Sequence, residues 1–221
     1  WLAGLVLVAT CVLRLEARVG TGVARWLALN TASLISGQVW RVLPWGFLEL
    51  EFGALGLIFS CLTIVMIGRD LADAWGARRF LLTSMVLVAV TGFITAAIGW
   101  LAPGLDAAHA TVWPLTEGII IAWASLFPSR QLLMYFVLPL GGRNLILVTV
   151  AGTLVFAMIH GFSVFVPHFV AEGLMLAYMR EPAIKRWFSG LTASSGARRK
   201  PSHLRAVDRL EKDDEPPRWL H

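Results

Sequence analysis

The sequence predicts an all-α polytopic membrane protein with six spanning helices and an interfacial first outer loop. Three observations carry this. The 221 residues are 57% hydrophobic and only 15% charged, with a mean hydropathy of +0.70. A soluble domain of this length does not need so much apolar sequence. Apolar runs recur near the length of about 20 residues that crosses a bilayer as a helix. Lys and Arg gather in alternate connections, the asymmetry that orients membrane proteins.

Each span follows from its run. Residues 1–13 make the first, 52–68 the second and 80–101 the third. Residues 112–128, which contain Glu117, make the fourth. Residues 144–179 are apolar apart from Glu172 and are interrupted by "HGFSVFVPH", so they divide into a fifth span, 144–160, and a sixth, 166–180. The connections 69–79 and 129–143 and the stretch after 179 hold fifteen of the nineteen Lys and Arg. The other side holds Arg14, Arg18, Arg25 and Arg41. That bias places the C-terminus in the cytoplasm. The net charge of +5 then reads as topology and contact with anionic lipid, and calls for no nucleic acid.

Residues 14–51 are too broken to span but carry Trp26, Leu29, Leu34, Val39, Trp40, Trp45 and Phe47. They predict a structured outer loop partly in the membrane interface, where Trp is favoured and Trp40 and Trp45 would anchor. Residues 1–188 form the membrane domain. Residues 189–221 turn polar and predict a disordered cytosolic tail, in which Leu204, Val207 and Leu210 could make one short amphipathic helix. Cys11 and Cys61 lie inside apolar runs and read as small buried hydrophobes rather than a disulfide. The chain begins with Trp1, so a preceding segment is expected, and the first run lacks a signal-peptide cleavage pattern. Small residues at helical spacing, namely Gly53, Gly56 and Ser60 on the second span and Gly173 with Ala177 on the sixth, predict close helix packing.

Several stretches, in order along the chain, resemble the rhomboid superfamily of intramembrane serine proteases. They are "GQVWRVLPWGFLE" (37–49), "IGRDLADAWGARRFLL" (67–82), "SLFPS" (125–129) and "PHFVAEGLMLAYM" (167–179). The resemblance implies a six-helix rhomboid-like bundle, with Trp40-Arg41 as determinants of the loop fold. It also implies a serine at the top of the fourth helix and an activating histidine on the sixth. Here the serine register falls on Thr111-Val112-Trp113-Pro114, and Trp113 cannot attack a carbonyl. The positions that help hold an oxyanion fall on Gly56 and Ser60; the first has no donor and the second only a short one. His168 alone keeps its place. Ser163, read as lying in the short outer loop before the sixth helix, is the best-placed substitute nucleophile.

Glu117 poses a separate question. An acidic residue at a helix centre costs about 2.5–3.5 kcal/mol, and each Leu, Ile, Val or Phe returns about 0.3–0.6 kcal/mol. The apolar residues of the fourth span together supply roughly 2–4 kcal/mol, which barely offsets one carboxylate. Glu117 is therefore expected to face protein and to need a partner. In the fold that the resemblance implies, the fourth and sixth helices run in the same direction. One turn below the facing pair Trp113 and His168 come Glu117 and Glu172. These two desolvated carboxyls are not expected to ionise together. A structural lock between the two helices is the expected role.

These readings converge on a non-proteolytic pseudoprotease that binds transmembrane segments of client proteins. An intramembrane serine endopeptidase with a displaced nucleophile, and a proton-coupled carrier or channel using Glu117, His168 and Glu172, are the competing readings. No cofactor is expected, and His168 with Glu172 at i, i+4 is too small a set to predict a metal. The bilayer and client segments are the expected partners, and the oligomeric state stays open. A bacterial-type inner (plasma) membrane is the expected location, and the excess of Arg over Lys points to a GC-rich genome and no more. The six-span count has a direct check. Cysteines introduced at Ala107 and Ser202 should react with an impermeant maleimide from opposite sides of the membrane, with Ser202 cytoplasmic. Labelling of both from one side would refute the count.

Overall fold

Backbone groups in hydrocarbon have no water to bond, so a spanning segment must satisfy them within itself. The chain does this with helices. A computed structural model describes residues 2–19, 22–134 and 138–181. In order, α1 is Leu2–Val19, α2 Val23–Leu27, α3 Thr31–Ile35, α4 Gly53–Trp75 and α5 Ala77–Leu101. They are followed by α6 (Trp113–Leu126), α7 (Gly142–His160) and α8 (Phe162–Arg180). A small antiparallel hairpin of β1 (Gln131–Met134) and β2 (Leu138–Gly141) precedes α7, with Gln131 opposite Gly141.

Among the described residues, four helices are long and apolar enough to cross a membrane: α4, α5, α7 and α8. This is a smaller number than the six expected. The apolar part of α1 is the shorter stretch Leu2–Val12. The 14 residues of α6 reach about 21 Å at 1.5 Å per residue, against a hydrocarbon core of about 30 Å. Position explains how α6 tolerates that length. It packs against α4, α5, α7 and α8, and every residue from Pro114 to Ala124 is buried. A helix walled by protein need not match the bilayer.

Two connections are tighter than expected. The stretch 69–79 is helical except at Gly76, whose φ of 86° ends α4 and starts α5. Likewise "HGFSVFVPH" contains no loop. Gly161, at φ 102°, separates α7 from α8, and Pro167 sits inside α8. Side chains with a Cβ rarely adopt such φ values, so each reversal falls on a glycine. Ser163 consequently lies in the first turn of α8. The hairpin at 131–141 also departs from an all-α chain.

Residues 22–51 fold back onto the bundle. Leu29 and His109 exchange backbone hydrogen bonds of 2.8 and 2.9 Å, and Leu50 N–H donates to Ala110 O at 2.9 Å. Arg41 is buried. Its Nη1 donates to the carbonyls of Arg25 and Ala28, and its Nε to Gln38 Oε1 at 2.7 Å. Trp40 beside it is 50% exposed. Trp45 is not an anchor: it is wholly buried, and its Nε1 donates to Val42 O. Leu29 and Phe47 are buried too, whereas Trp26 and Val39 stay exposed. Hydropathy alone does not separate a Trp that faces headgroups from one that faces a helix.

The small residues also divide. Gly56 and Ser60 are packed. A Cβ on Gly173 would meet open space, Ala177 is exposed, and Gly53 is defined by its φ of 74°. Cys61 is half-buried, but Cys11 is exposed on α1, so it is no core residue; both are free thiols. The tail readings, including Leu204, Val207 and Leu210, fall outside the described residues. One glycine contact is decisive for docking the outer segment. A Cβ on Gly92 of α5 would stand 2.8 Å from Trp45 Nε1 and 3.3 Å from Val42 O. Gly92→Val should therefore cost about 1–3 kcal/mol by overpacking, read as a lower melting temperature of the detergent-solubilised protein. Gly152→Ala, where a Cβ meets nothing, should not lower it.

Candidate functional site

The site begins at the top of α6. Pro114 presets φ for the first turn and needs no N–H partner there. Trp113, beside it, lies flat on Phe59 of α4, with ring centroids 5.3 Å apart and planes at 10°. Its edge meets Phe52, with centroids 5.4 Å apart. Gly56 makes this possible, since a Cβ there would come 3.2 Å from Trp113 Nε1 and 2.6 Å from Phe52 Cβ. Ser60, one turn further down α4, is fully buried, and its hydroxyl has no partner among the described residues.

One turn below Trp113 the polar residues meet. His168 Nδ1 lies 2.9 Å from Glu117 Oε2 and 3.1 Å from Oε1. Thr153 of α7 completes the cluster. Its hydroxyl stands 2.8 Å from Glu172 Oε1, 3.3 Å from Glu117 Oε1 and 3.2 Å from Thr149 O. All four side chains are buried. A hydroxyl has one proton to give and two lone pairs, so Thr153 cannot donate to all three oxygens at once. Three helices, α6, α7 and α8, are thus tied at one depth. Glu117 and Glu172 are bridged through Thr153, a residue whose sequence context, "TVAGTLVF", marks it as nothing more than a small residue in a span.

Beside this cluster is a cleft of about 200 Å³ between α4 and α7, both of which pack on α6. Phe52, Phe59, Trp113, Phe156 and Phe165 make its aromatic wall, and Glu117, His168 and Thr153 its polar floor. Ser163 cannot serve His168 from where it sits. It lies five residues earlier on the same helix, about 140° around the axis at 100° per residue. Among the described residues, no group of three or more His, Cys, Asp or Glu is placed to hold a metal ion.

A second set of buried polar groups, unnoticed in the sequence, secures the outer end. Glu49 accepts from the N–H of Phe52 at 2.8 Å, the N–H of Glu51 at 3.2 Å and the Thr111 hydroxyl at 3.0 Å. Glu49 N–H donates to Thr10 Oγ1, and Arg14 Nη2 to Glu49 O. Glu51 accepts from Ala110 N–H at 2.9 Å. Burial raises both carboxyls above their usual range, and the hydrogen bonds they accept oppose it. Burial lowers His109 to about 4, with Asp106 opposing, so the ring is neutral at physiological pH. The alternation in "FLELEFG" was the available signal for Glu49 and Glu51, since polar residues between core apolar ones must be bonded.

A family model described as "Eukaryotic integral membrane protein (DUF1751)" matches residues 2–179, which include every element of the site. The chain belongs to that family. No curated protein and no solved structure matches it. It is therefore a multi-pass integral membrane protein in contact with a lipid bilayer. The description names eukaryotic proteins, which corrects the expectation of a bacterial inner membrane.

The Glu117 contact generates a paired prediction. Glu117→Gln keeps a donor and an acceptor facing His168 and Thr153, and should leave the melting temperature close to that of the parent. Glu117→Leu strands both partners in the core and should destabilise by roughly 1–3 kcal/mol. Equal melting temperatures for the two variants would show that the contact holds nothing together.

Proposed function

We propose that this chain is a non-proteolytic, rhomboid-like membrane protein that holds transmembrane segments of client proteins in the cleft between α4 and α7. The reading takes α1 and α6 as crossing with the four longer helices, for six spans and a cytoplasmic C-terminus. One observation carries it. Trp113, on the register where the resemblance puts a serine, has its indole packed between Phe59, Phe52 and Gly56. A bulky ring occupies the top of the cleft, and an apolar wall remains below it. Leu55, Ile58 and Leu62 on α4, with Leu154, Val155 and Phe156 on α7, are exposed apolar residues on the two flanking helices. They would face lipid or another helix.

A second reading rests on a specific contact. A carboxylate on Nδ1 is the arrangement that orients an imidazole as a general base, with Nε2 turned to a nucleophile. Glu117 and His168 have that geometry. Among the described residues, no Ser, Thr or Cys bonds to Nε2. The base half of a hydrolase is therefore present without its nucleophile, which favours binding over cleavage.

The test places a photoreactive benzophenone amino acid at Phe156, inside the cleft, and at Phe93, on the exposed face of α5. Single-span membrane proteins should crosslink at 156 and not at 93. Gly152→Leu should suppress the adducts, because Gly152 lines the cleft and a Cβ there meets nothing within 4 Å. A generic transmembrane peptide should not be cleaved. Cleavage that vanishes in His168→Ala would overturn the binding reading in favour of the hydrolase.

A further inference from the structure

The chemistry of the cleft specifies what its occupant carries. Its volume of about 200 Å³ lies below the ~300–1,000 Å³ typical of small-molecule sites, so it suits one side chain rather than a bulky ligand. The lining is aromatic on several sides, through Phe52, Phe59, Trp113, Phe156 and Phe165. Ring faces attract cations.

The polar floor wants a donor. Glu117 lines the cleft as a carboxyl. His168 uses Nδ1 on Glu117, and its Nε2 is buried with no partner among the described residues. In the neutral ring that nitrogen is an acceptor. Glu172 Oε2, behind Thr153, is buried and unpartnered as well. Charge points the same way. Two carboxyls meet one imidazole, and among the described residues neither carboxyl bonds to a Lys or Arg. With one carboxyl ionised beside a neutral imidazole, the cluster carries one unmatched negative charge.

We infer that the cleft recognises a transmembrane segment carrying a single basic residue within its apolar stretch, whose cationic head enters the aromatic cage and donates to Glu117 and His168. This rests on the client-binding reading and adds the client's distinguishing mark. An ammonium or guanidinium has donors and no acceptor, which matches a floor of acceptors. It is also the group that hydrocarbon tolerates least, so a segment bearing one gains most from a partner.

The experiment uses the full chain in proteoliposomes with fluorescent single-span peptides, identical except for a central Leu, Lys, Gln or Glu. Binding is read by energy transfer to a dye on the protein. The Lys peptide should bind at least tenfold more tightly than the Leu peptide, with Gln near Leu and Glu weakest. Glu117→Gln should abolish the Lys advantage, bringing the ratio of Lys-peptide to Leu-peptide affinity to about one. Equal affinity for Lys and Leu peptides would overturn this inference and leave client binding standing. Binding of none of the four would overturn both. Tighter binding of the Glu peptide would show that the cage works as a donor site, the opposite of what is inferred.

Discussion

The bundle depends on how a carboxyl group is housed in a helix buried on every side by protein. Glu117 stands in the second turn of α6, and its partner is His168 at 2.9 Å on α8. Removing one side of such a contact strands the other, so the two helices are held in one rotational setting relative to each other. Thr153 extends the constraint to α7. The outer end has its own version in Glu49, which joins the start of α4 to Thr111, the residue that leads into α6. Between these two bonded levels, α6 has little freedom to slide or turn.

Trp113 shows how substitutions travel together. An indole at that position needs room on the facing helix, and Gly56 supplies it. On the rhomboid pattern both positions belong to the chemistry, one for attack and one for holding an oxyanion. Here the same two positions make a packing contact. The space that remains lies below the indole, lined by rings and floored by Glu117 and His168. The packing contact and the shape of the cleft thus arise from one pair of residues.

The glycines set the architecture at three different kinds of place. Gly76 and Gly161 reverse the chain between long helices with a single residue, which keeps α4 beside α5 and α7 beside α8. Gly92 and Gly118 have a different duty. They admit Trp45 and Leu87 to within contact of helix backbone. Gly152 has neither role. It borders the cleft, where any side chain would occupy the space now open.

By itself the sequence determined that the chain lives in a bilayer, that it has several long apolar helices, and that Glu117 must be buried against protein. Those conclusions rest on hydropathy, run length and the cost of a charge in hydrocarbon, and each can be judged within one segment. It also determined that Trp113 cannot act as a nucleophile, which is a matter of residue chemistry. Only the tertiary structure decided that α6 is a short central helix, that Thr153 joins the polar cluster and that Trp45 is core while Trp40 is exposed. It alone brought Glu49, Glu51 and His109 into the buried outer layer. Each of these depends on which face a helix turns toward a neighbour many residues away. Nothing within a segment encodes that rotation, because it is chosen by the packing of all the helices at once.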